Sequence, residues 1–537
     1  MPTIKIDEKE VTVDAGLTLI QAAATAGIDI PHFCYHPGLP IDGNCRMCLV
    51  EMEIRPGVFG LVAGCVQTVT KDGMQIRTNT PTVLKNREGV MEFFLINHPL
   101  DCPWCDQAGE CRLQDYSFEH GRADSRFVET KRVPPKKDLG PHILLYSTRC
   151  ILCTRCIRFC DEIAGTSELG IVHMGSHSEI DTFPGQPLDN KLSGNVADIC
   201  PVGALVTKDF LYKPRIWHYT TVRTICTGCS TGCNTMMEVM HQKIYRIRPR
   251  ENMEVNQYWM CDDGRFGYHA LQEAERVKVP MKRVNGTLQA TTWKEALQAV
   301  SDGFSRLIGE TGQSAVGVVG SAQWTNEENF LLSKLAREAF KTSHIGLYVK
   351  PPGEGWVSKS GFRIEADKTP NARGAREMLG AADMRGIVDG INAGTIKGLY
   401  IVGGDLGLVL SAAEKEALGK LECLVVQDIV HSELVDLAHV VLAGASWAEK
   451  DGTMTNVNGR VQRLRRAFPP PGEARTDGEI IRQVGKQCGV DLGPGAPAEI
   501  MNEIARTVEG YAGLSYSVIG EQGAMTGIGQ PSEAAGG

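Results

Sequence analysis

The 537-residue sequence has no apolar stretch long enough to cross a membrane. A transmembrane helix needs about 20 consecutive apolar residues, and no window of the sequence supplies them. The first residues, Met1-Pro2-Thr3-Ile4-Lys5, also lack the apolar core of a secretory signal peptide. We therefore expect a soluble, cytoplasmic protein that is held at any membrane only by partner proteins.

The sequence also lacks an excess of positive charge, with 56 lysines and arginines against 64 acids and a formal net charge of −8. Nucleic-acid binding depends on clustered cations that displace counterions. The one short basic run is interrupted by prolines, which favours a solvated linker; it consists of Lys131, Arg132, Lys136 and Lys137. We expect no nucleic-acid partner.

Cysteine is nearly missing from the second half of the chain. Of the 18 cysteines, 16 occur at or before Cys261, and only Cys423 and Cys488 follow it. In a reducing cytoplasm such crowding indicates metal ligands rather than disulfides. Cys423 lies within an apolar strand pattern and Cys488 in a late loop, so both are interpreted as structural.

Patterning predicts a multidomain protein of α+β and α/β character. Residues 1–80 combine short strands with a helix that begins at a capping box of Thr18 and Gln21, the outline of a β-grasp ferredoxin. Beyond residue 276, strands alternate with helices, which is typical of a doubly wound α/β domain. The Gly-, Ala- and Ser-rich segment 513–537 is predicted to be a flexible tail.

We call the first set of candidate ligands the first site, and its spacing is C-x10-C-x2-C-x16-C. It consists of Cys34, Cys45, Cys48 and Cys65. Thiolates on an irregular loop can surround a [2Fe–2S] cluster, because the free backbone N–H groups there can donate to its sulfur atoms. A structural zinc ion is the alternative.

The second site combines one histidine with three cysteines, namely His98, Cys102, Cys105 and Cys111. This donor set can hold a [4Fe–4S] cluster, and a neutral imidazole in place of one thiolate makes the site less negative and raises its reduction potential. Zinc bound by three cysteines and one histidine is the competing interpretation. The position of the motif between two other cluster motifs favours iron–sulfur.

The third site is a C-x2-C-x2-C run completed by a distant Cys-Pro, namely Cys150, Cys153, Cys156 and Cys200. It resembles half of a bacterial two-cluster ferredoxin and predicts a [4Fe–4S] cluster. Cys160 also stands at the spacing of a fourth ligand, but Asp161 follows it instead of proline. We interpret Cys160 as a buried neighbour.

The fourth site has the spacing C-x2-C-x3-C-x27-C and consists of Cys226, Cys229, Cys233 and Cys261. With an α/β domain behind it, this pattern resembles the N-terminal [4Fe–4S] module of molybdopterin oxidoreductases. A zinc ribbon is the alternative, although such ribbons usually use two C-x2-C pairs.

In this order the four sites resemble those of the NuoG-type, or 75-kDa-type, iron–sulfur subunits of respiratory complex I, NADH-quinone oxidoreductase. Further matches are Arg155-Cys156-Ile157-Arg158-Phe159-Cys160 and Gly194-Asn195-Val196-Ala197-Asp198-Ile199-Cys200-Pro201. The resemblance implies a 2Fe–2S ferredoxin over 1–80, a one-His three-Cys 4Fe–4S segment over 81–120, a ferredoxin-like 4Fe–4S domain over 121–218, a molybdopterin-oxidoreductase-type 4Fe–4S module over 219–275 and a shortened, non-catalytic molybdopterin-oxidoreductase-like domain over 276–512.

The resemblance also implies a function in the respiratory chain. The subunit would carry electrons from the flavin-bearing, NADH-binding subunit toward the quinone-reducing subunits, entering at the first site and passing through the third to the second. The fourth site would lie off this path. The chain would act as a peripheral part of a membrane-associated oxidoreductase and translocase, on the cytoplasmic side of the bacterial inner membrane, without a catalytic site of its own.

The main alternative is the α subunit of an NAD-linked molybdopterin formate dehydrogenase, which shares the N-terminal modules. In catalytic relatives a lysine commonly follows the last cluster cysteine by two positions, whereas this chain has Asp263. No cysteine or serine stands out as a molybdenum ligand. We therefore expect one 2Fe–2S cluster, three 4Fe–4S clusters and no molybdopterin.

Overall fold

The computed structural model describes residues 1–381, 383–403 and 410–527. These residues form two compact units. The N-terminal unit contains Met1–Tyr219 and Ser358–Phe362, and the C-terminal unit contains Thr220–Val357 and the described residues from Arg363 onward. Within the described ranges, no helix is long and apolar enough to pass through a lipid bilayer.

The N-terminal unit begins with a mixed sheet and one helix packed on it. The elements are β1 (Thr3–Ile6), β2 (Lys9–Thr12), α1 (Leu19–Thr25), β3 (Leu49–Arg55), β4 (Val58–Ala63) and β5 (Gln75–Arg77). The strand order is β2-β1-β5-β3-β4, with β1 and β5 parallel. The predicted capping box of Thr18 and Gln21 is present at the start of α1. The helix buries its apolar side against the sheet, which confirms the β-grasp prediction.

Helices and small strand pairs make up the rest of this unit. They are α2 (Pro81–Leu95), α3 (Arg112–His120), β6 (Lys136–Asp138), β7 (Ile143–Tyr146), α4 (Arg155–Arg158), β8 (Leu169–Val172), β9 (Glu179–Thr182), α5 (Asn195–Ile199) and β10 (Leu205–Thr207). Strands β10, β7 and β6 form one sheet, and β8 pairs with β9. Thr80 caps α2, whose first residue is Pro81. Most candidate ligands therefore lie in turns between short elements.

The C-terminal unit opens with an antiparallel sheet and two short helices. They are β11 (Thr220–Ile225), β12 (Asn234–Met240), β13 (Lys243–Pro249), α6 (Asp262–Phe266) and α7 (Tyr268–Glu273). Strand β12 lies between β11 and β13. The turn between β11 and β12 carries three cysteines of the fourth site, and the fourth cysteine precedes α6.

The larger part of this unit is a doubly wound α/β domain. Its elements are β14 (Met281–Val284), β15 (Thr287–Ala290), α8 (Trp293–Thr311), β16 (Val316–Ser321), α9 (Asn326–Lys334), β17 (Ile345–Tyr348), β18 (Trp356–Val357), β19 (Arg363–Ile364), α10 (Ala372–Leu379), α11 (Arg385–Asn392), β20 (Gly398–Val402), α12 (Ala412–Leu418), β21 (Cys423–Asp428), α13 (Glu433–Leu437), β22 (Val440–Ala443), β23 (Gly452–Thr455), β24 (Arg460–Leu464), α14 (Asp477–Gln487), α15 (Pro497–Thr507), α16 (Tyr516–Ile519) and β25 (Ala524–Met525). The predicted fold class is confirmed.

The main sheet has the order β15-β14-β22-β21-β20-β16-β17, and its strands from β22 to β17 are parallel. Every residue of β16, β20 and β21 is buried. Helices on both faces exclude water from such a sheet, so its strands read as continuous apolar runs. Thr325 and Glu328 form the capping box of α9. Cys423 is buried in β21, and Cys488 ends α14.

Two segments differ from the sequence-based expectations. In the predicted tail, α16 and β25 are formed, and β25 pairs with Arg460 and Val461 of β24; residues 528–537 of that tail lie outside the described residues. The basic run is not a solvated linker. Lys137 lies 2.8 Å from Asp181 and 2.9 Å from Glu179, which are carboxylates of the β9 strand more than 40 residues away.

Candidate metal centres

The first site lies on the loop between α1 and β3 and just after β4. Its four cysteines are buried. Hydrogen bonding with the thiols of Cys45 and Cys65 lowers the pKa of Cys34, and the same contacts raise the pKa of Cys45 and of Cys65. Hydrogen bonding with Cys65 also lowers the pKa of Cys48. The structure thus brings all four predicted residues within reach of one another.

Backbone geometry holds this loop around its sulfur atoms. The N–H groups of Cys45 and Asn44 donate to the Cys34 sulfur, and such donors stabilise a ligating thiolate. Arg46, between two of the cysteines, has a φ of 58°, a left-handed conformation that is costly for a non-glycine residue. Gly64 donates to the carbonyl of Cys48 at 3.0 Å, and a Cβ atom there would lie 3.1 Å from that oxygen.

The second site follows the end of α2. His98 is the first of its four residues, Cys105 is buried, Cys102 is exposed, and Cys111 occupies the residue before α3. Turns carry Cys102 and Cys105, and α3 begins at Arg112. Burial, and then the positive charges of Lys131 and Arg149, lower the pKa of His98 to about 4. The imidazole is therefore neutral at pH 7 and has a lone pair available for a metal.

A cavity of about 340 Å³ adjoins the second site. His98, Cys102 and Cys111 contribute to its lining, together with apolar residues such as Leu95 and Leu113. The cavity places open space next to three of the four predicted ligands. Burial raises the pKa of Cys111 to about 11, so this thiol is protonated in the absence of a metal.

The third site lies on the turn between β7 and α4, in the first turn of α4 and at the end of α5. Electrostatic interactions link each thiol of Cys150, Cys153 and Cys156 to Cys200. Burial raises the pKa of both Cys150 and Cys153 to about 12. The structure therefore brings together the four residues predicted from the C-x2-C-x2-C run and the distant Cys-Pro.

The backbone of the third site is wound so that its N–H groups face sulfur. Leu152 and Thr154 have φ values of 52° and 61°. The N–H of Leu152 lies 3.4 Å from the Cys150 sulfur, and the N–H groups of Leu205, Val202 and Ala204 are directed at the sulfur of Cys200. Alternating left-handed residues of this kind make a concave surface of donors, which suits a negatively charged group.

Cys160 has different surroundings. It is fully buried in the π-helical turn that follows α4. Burial raises the pKa of its thiol, and the negative charge of Glu168 adds to the effect. The thiol is hydrogen-bonded to Glu168 and interacts electrostatically with Cys156, whereas Cys200 interacts with all three cysteines of the run. These surroundings are those expected of a buried cysteine beside the third site.

The fourth site belongs to the C-terminal unit. The N–H of Cys226 donates to the carbonyl of Cys233 at 2.8 Å, and the thiol of Cys233 interacts electrostatically with the other three thiols. The N–H of Gly264 donates to the Cys261 sulfur at 3.4 Å. A Cβ atom at Gly264 would lie 2.8 Å from the Cys226 sulfur, so only glycine fits at this position of α6. All four predicted residues again come together.

The ligand segments of the second and third sites lie against each other within the N-terminal unit. The Cys111 thiol lies 4.0 Å from the carbonyl oxygen of Pro201, which follows Cys200. Arg149, which precedes Cys150, is paired with Asp101 at 3.0 Å and donates to the carbonyl of Gly203 at 3.4 Å. A single guanidinium group thus connects these segments.

The segments of the first and third sites are joined in the same way. Arg158 donates to the carbonyl of Cys34 at 2.6 Å and to that of Cys153 at 3.2 Å. Asn44 donates to the carbonyl of Leu152 at 3.3 Å. The third site therefore has hydrogen-bonded connections to both of the others.

Sequence reasoning missed the lysine and arginine side chains that hydrogen-bond to the ligand segments. Lys131 donates to the carbonyl of His98 at 2.7 Å, although its sequence context predicted a solvated linker. Arg215 donates to the carbonyls of Cys105 and Cys102 in the second site. The available signal was the position of Arg149 and Arg155, each immediately before a cysteine of the third site.

No group of three or more His, Cys, Asp or Glu side chains in the described part of the chain is arranged to hold one metal ion. A tetrahedral zinc ion needs four donors about 2.0–2.3 Å from a single point. The cysteines of an iron–sulfur cluster bind separate iron atoms, so they surround a larger group. The donor sets, the buried thiols and the N–H groups aimed at sulfur fit such clusters.

Five family models match the chain. They are the 2Fe-2S iron-sulfur cluster binding domain (residues 1–81), the NADH-ubiquinone oxidoreductase-G iron-sulfur binding region (87–126), the ferredoxin-like domain of NADH-quinone oxidoreductase subunit 3 (140–206), the molybdopterin oxidoreductase Fe4S4 domain (219–273) and molybdopterin oxidoreductase (276–353 and 347–487). Each of the four candidate sites falls within one of the first four matched segments.

Relatives extend the match to nearly the whole chain. The NuoG-type subunit of NADH-quinone oxidoreductase from Rickettsia conorii is 32% identical over 96% of this chain and 92% of its own length. The NADH-ubiquinone oxidoreductase 78 kDa subunit of Neurospora crassa is 32% identical over 91% of this chain and 81% of its own length. A solved chain of an NAD+-reducing [NiFe]-hydrogenase is 31% identical, with a TM-score of 0.36 over 40% of this chain and 91% of that chain. The chain belongs to the family of NuoG-type, or 75-kDa-type, subunits of NADH-quinone oxidoreductase and is an iron–sulfur electron-transfer subunit of that oxidoreductase complex.

Proposed function

We propose that the chain binds one [2Fe–2S] cluster and three [4Fe–4S] clusters. The [2Fe–2S] cluster occupies the first site, and a [4Fe–4S] cluster occupies each of the second, third and fourth sites. The ligands are Cys34, Cys45, Cys48 and Cys65; His98, Cys102, Cys105 and Cys111; Cys150, Cys153, Cys156 and Cys200; and Cys226, Cys229, Cys233 and Cys261. The convergence of each set on one loop region supports this assignment.

We further propose that electrons pass from the first site through the third to the second, on the way from the flavin-bearing, NADH-binding subunit to the quinone-reducing subunits. An iron–sulfur cluster, when bound, accepts and releases a single electron with little rearrangement. The observation that carries this proposal is the hydrogen-bonded contact of the third-site segment with both other segments. The residues of this chain hold the ligands at fixed spacing and bury most of them from water, and none acts as a general acid, base or nucleophile.

We propose that no molybdopterin is bound in the C-terminal unit. A cavity of about 340 Å³ lies beside the fourth site and is lined in part by Cys226, Asp263 and Lys350. Neither Cys423 nor Cys488 lines it, so the described residues supply no free thiolate for molybdenum there. Asp263 places a carboxylate at the position where catalytic relatives carry lysine. These features argue against the alternative, a formate dehydrogenase α subunit.

The chain functions as a peripheral subunit on the cytoplasmic side of the bacterial inner membrane, in this proposal, and it is held there by partner subunits. The lack of a spanning helix in the described ranges and the net charge of −8 support attachment through proteins rather than through lipid. Nucleic acid is not a partner.

The proposal is tested on the full chain purified without oxygen. We expect iron and acid-labile sulfide, visible absorption, and low-temperature EPR signals from one binuclear and three tetranuclear centres after reduction. Quinone reduction by the chain alone should be undetectable. Colourless protein with bound zinc and no sulfide would contradict the cluster assignment, because zinc is d¹⁰ and gives no such signal. Stoichiometric molybdenum with formate oxidation would establish the alternative.

A further inference from the structure

Arg155 has an unusual environment between the first and third sites. It directly precedes Cys156 in the chain, and its side chain donates to the carbonyl of Tyr35, the residue after Cys34. It also donates to the carbonyl of Ile199, the residue before Cys200, at 3.0 Å. One guanidinium group therefore contacts the ligand segments of both sites.

This guanidinium is a buried charge without an acidic partner. Arg155 is 6% exposed, and its Nε has no hydrogen-bond partner. Within the part of the chain that the structure describes, no carboxylate forms an ion pair with it. The titratable and charged groups that face it are the cations Arg112 and Arg158, the thiols of Cys153 and Cys200, and the imidazoles of His32 and His36. An unpaired buried cation destabilises the folded protein, so negative charge nearby would stabilise this site.

Iron–sulfur clusters held by four thiolates supply such charge. Each one-electron reduction adds one negative charge and breaks no bond to the protein. A fixed cation nearby stabilises the reduced state more than the oxidised state, and in a water-poor interior this attraction is weakly screened. The same cation can act on both sites because its two hydrogen bonds reach both ligand segments.

We propose, on the basis of the cluster-binding function above, that Arg155 is the shared countercharge and positioning residue of the first and third sites. It raises the reduction potential of both clusters and fixes the distance between their ligand segments. Arg149 is a contrasting case, because its charge is already paired with Asp101 at 3.0 Å. Arg155 therefore carries more of the electrostatic effect than Arg149 does.

The test is an EPR-monitored redox titration of the anaerobically purified full chain and its variants. In Arg155→Gln we expect the equilibrium constant for reduction to fall about tenfold at both sites, equivalent to about 59 mV for a one-electron couple. Arg155→Lys keeps the charge and should stay within about threefold of the wild type. Arg283 likewise donates to backbone carbonyls but belongs to the C-terminal unit, so Arg283→Gln is the matched control and should leave both potentials unchanged.

Several results would overturn the proposal. Unchanged potentials in Arg155→Gln, a shift at one site alone, or equal shifts in the Lys and Gln variants would each exclude a shared countercharge. If the Gln variant loses its clusters, Arg155→Lys provides the test, because it keeps the charge: both cluster signals should persist, and their loss from the Lys variant as well would exclude the countercharge role. Absence of cluster signals from the wild type would instead refute the proposed function.

Discussion

The two units hold their cysteines by different means. In the N-terminal unit, arginine side chains such as Arg149 and Arg158 connect one ligand segment to another. In the C-terminal unit, neutral amides support the fourth site: Gln462 donates to the carbonyl of Gly232 at 2.9 Å, and Asn456 donates to that of Thr231 at 3.2 Å.

The two units also differ in the size of the apolar core that stabilises them. The C-terminal unit is built on a parallel sheet whose central strands are completely buried. The N-terminal unit beyond β5 has short strands and helices, and its ligand segments are turns. A large apolar core stabilises the C-terminal unit by itself. In the N-terminal unit, unpaired buried cations near the cysteines are destabilising unless negative charge is bound there. We infer that bound clusters are part of the folded N-terminal unit.

The largest effect should follow from removing iron. Chelation under reducing conditions should make the ligand segments of the N-terminal unit exchange backbone hydrogens nearly as fast as an unfolded chain, because metal binding and folding are coupled in small metal-rich domains. Strand β20 of the C-terminal unit should keep its protection. Hydrogen exchange read by mass spectrometry measures both regions at once, and equal loss in the two would refute the comparison.

Removal of one ligand should have a complete but local effect. Cys200→Ala is expected to abolish one tetranuclear EPR signal, because the Cys200 thiol interacts electrostatically with all three cysteines of the C-x2-C-x2-C run of the third site. Cys160→Ala is the matched control and should retain every signal, because the Cys160 thiol is hydrogen-bonded to Glu168. Loss of a signal in the Cys160 variant alone would reverse the assignment.

A core truncation should act on the C-terminal unit alone. Leu399 is fully buried on β20, at the centre of the main sheet. Leu399→Ala should lower the free energy of unfolding of this unit by about 2–5 kcal/mol, since it leaves a cavity. Denaturant-dependent hydrogen exchange of β20 measures the loss, while the EPR signals of the first three sites should persist. Val518→Ala, at a 57% exposed side chain, should cost less than about 0.5 kcal/mol.

The smallest effect concerns pH. Burial raises the pKa of Glu327 from 4.5 to about 7, while hydrogen bonds from Thr453 and Tyr516 oppose the shift. The folded state then binds a proton that the unfolded chain releases, so the C-terminal unit should lose stability as pH rises from about 4.5 to about 7, by up to about 3 kcal/mol.

In the variant Glu327→Gln, the side chain at position 327 is uncharged at every pH. The stability of the C-terminal unit, measured by denaturant-dependent hydrogen exchange of β20, should therefore depend less on pH than in the wild type. Exposed Glu310→Gln serves as the control and should follow the wild type. A wild-type stability that increases over this pH range would contradict the assigned direction.

Local features were predictable where the evidence lay within a few residues. The capping box at Thr18 was correct because a cap depends on residues three positions apart. The α/β domain beyond residue 276 was predicted correctly because strands buried on both faces leave a continuous apolar signal.

Contacts between distant segments could not be predicted. The basic run was interpreted as a linker because its carboxylate partners, Glu179 and Asp181, lie more than 40 residues away. Arg155 and Arg158 matched the family pattern, but nothing in their spacing indicated contact with carbonyls near Cys34, 120 or more residues earlier.

The sequence by itself determined the donor sets, their order and the class of each domain, because ligand spacing and hydrophobic periodicity are properties of neighbouring residues. Only the tertiary structure decided which segments meet, that Cys200 lies near all three cysteines of the third site, and that Arg155 lies buried without an acid. The physical reason is that burial and electrostatic pairing depend on distance in space, and chain separation does not fix that distance.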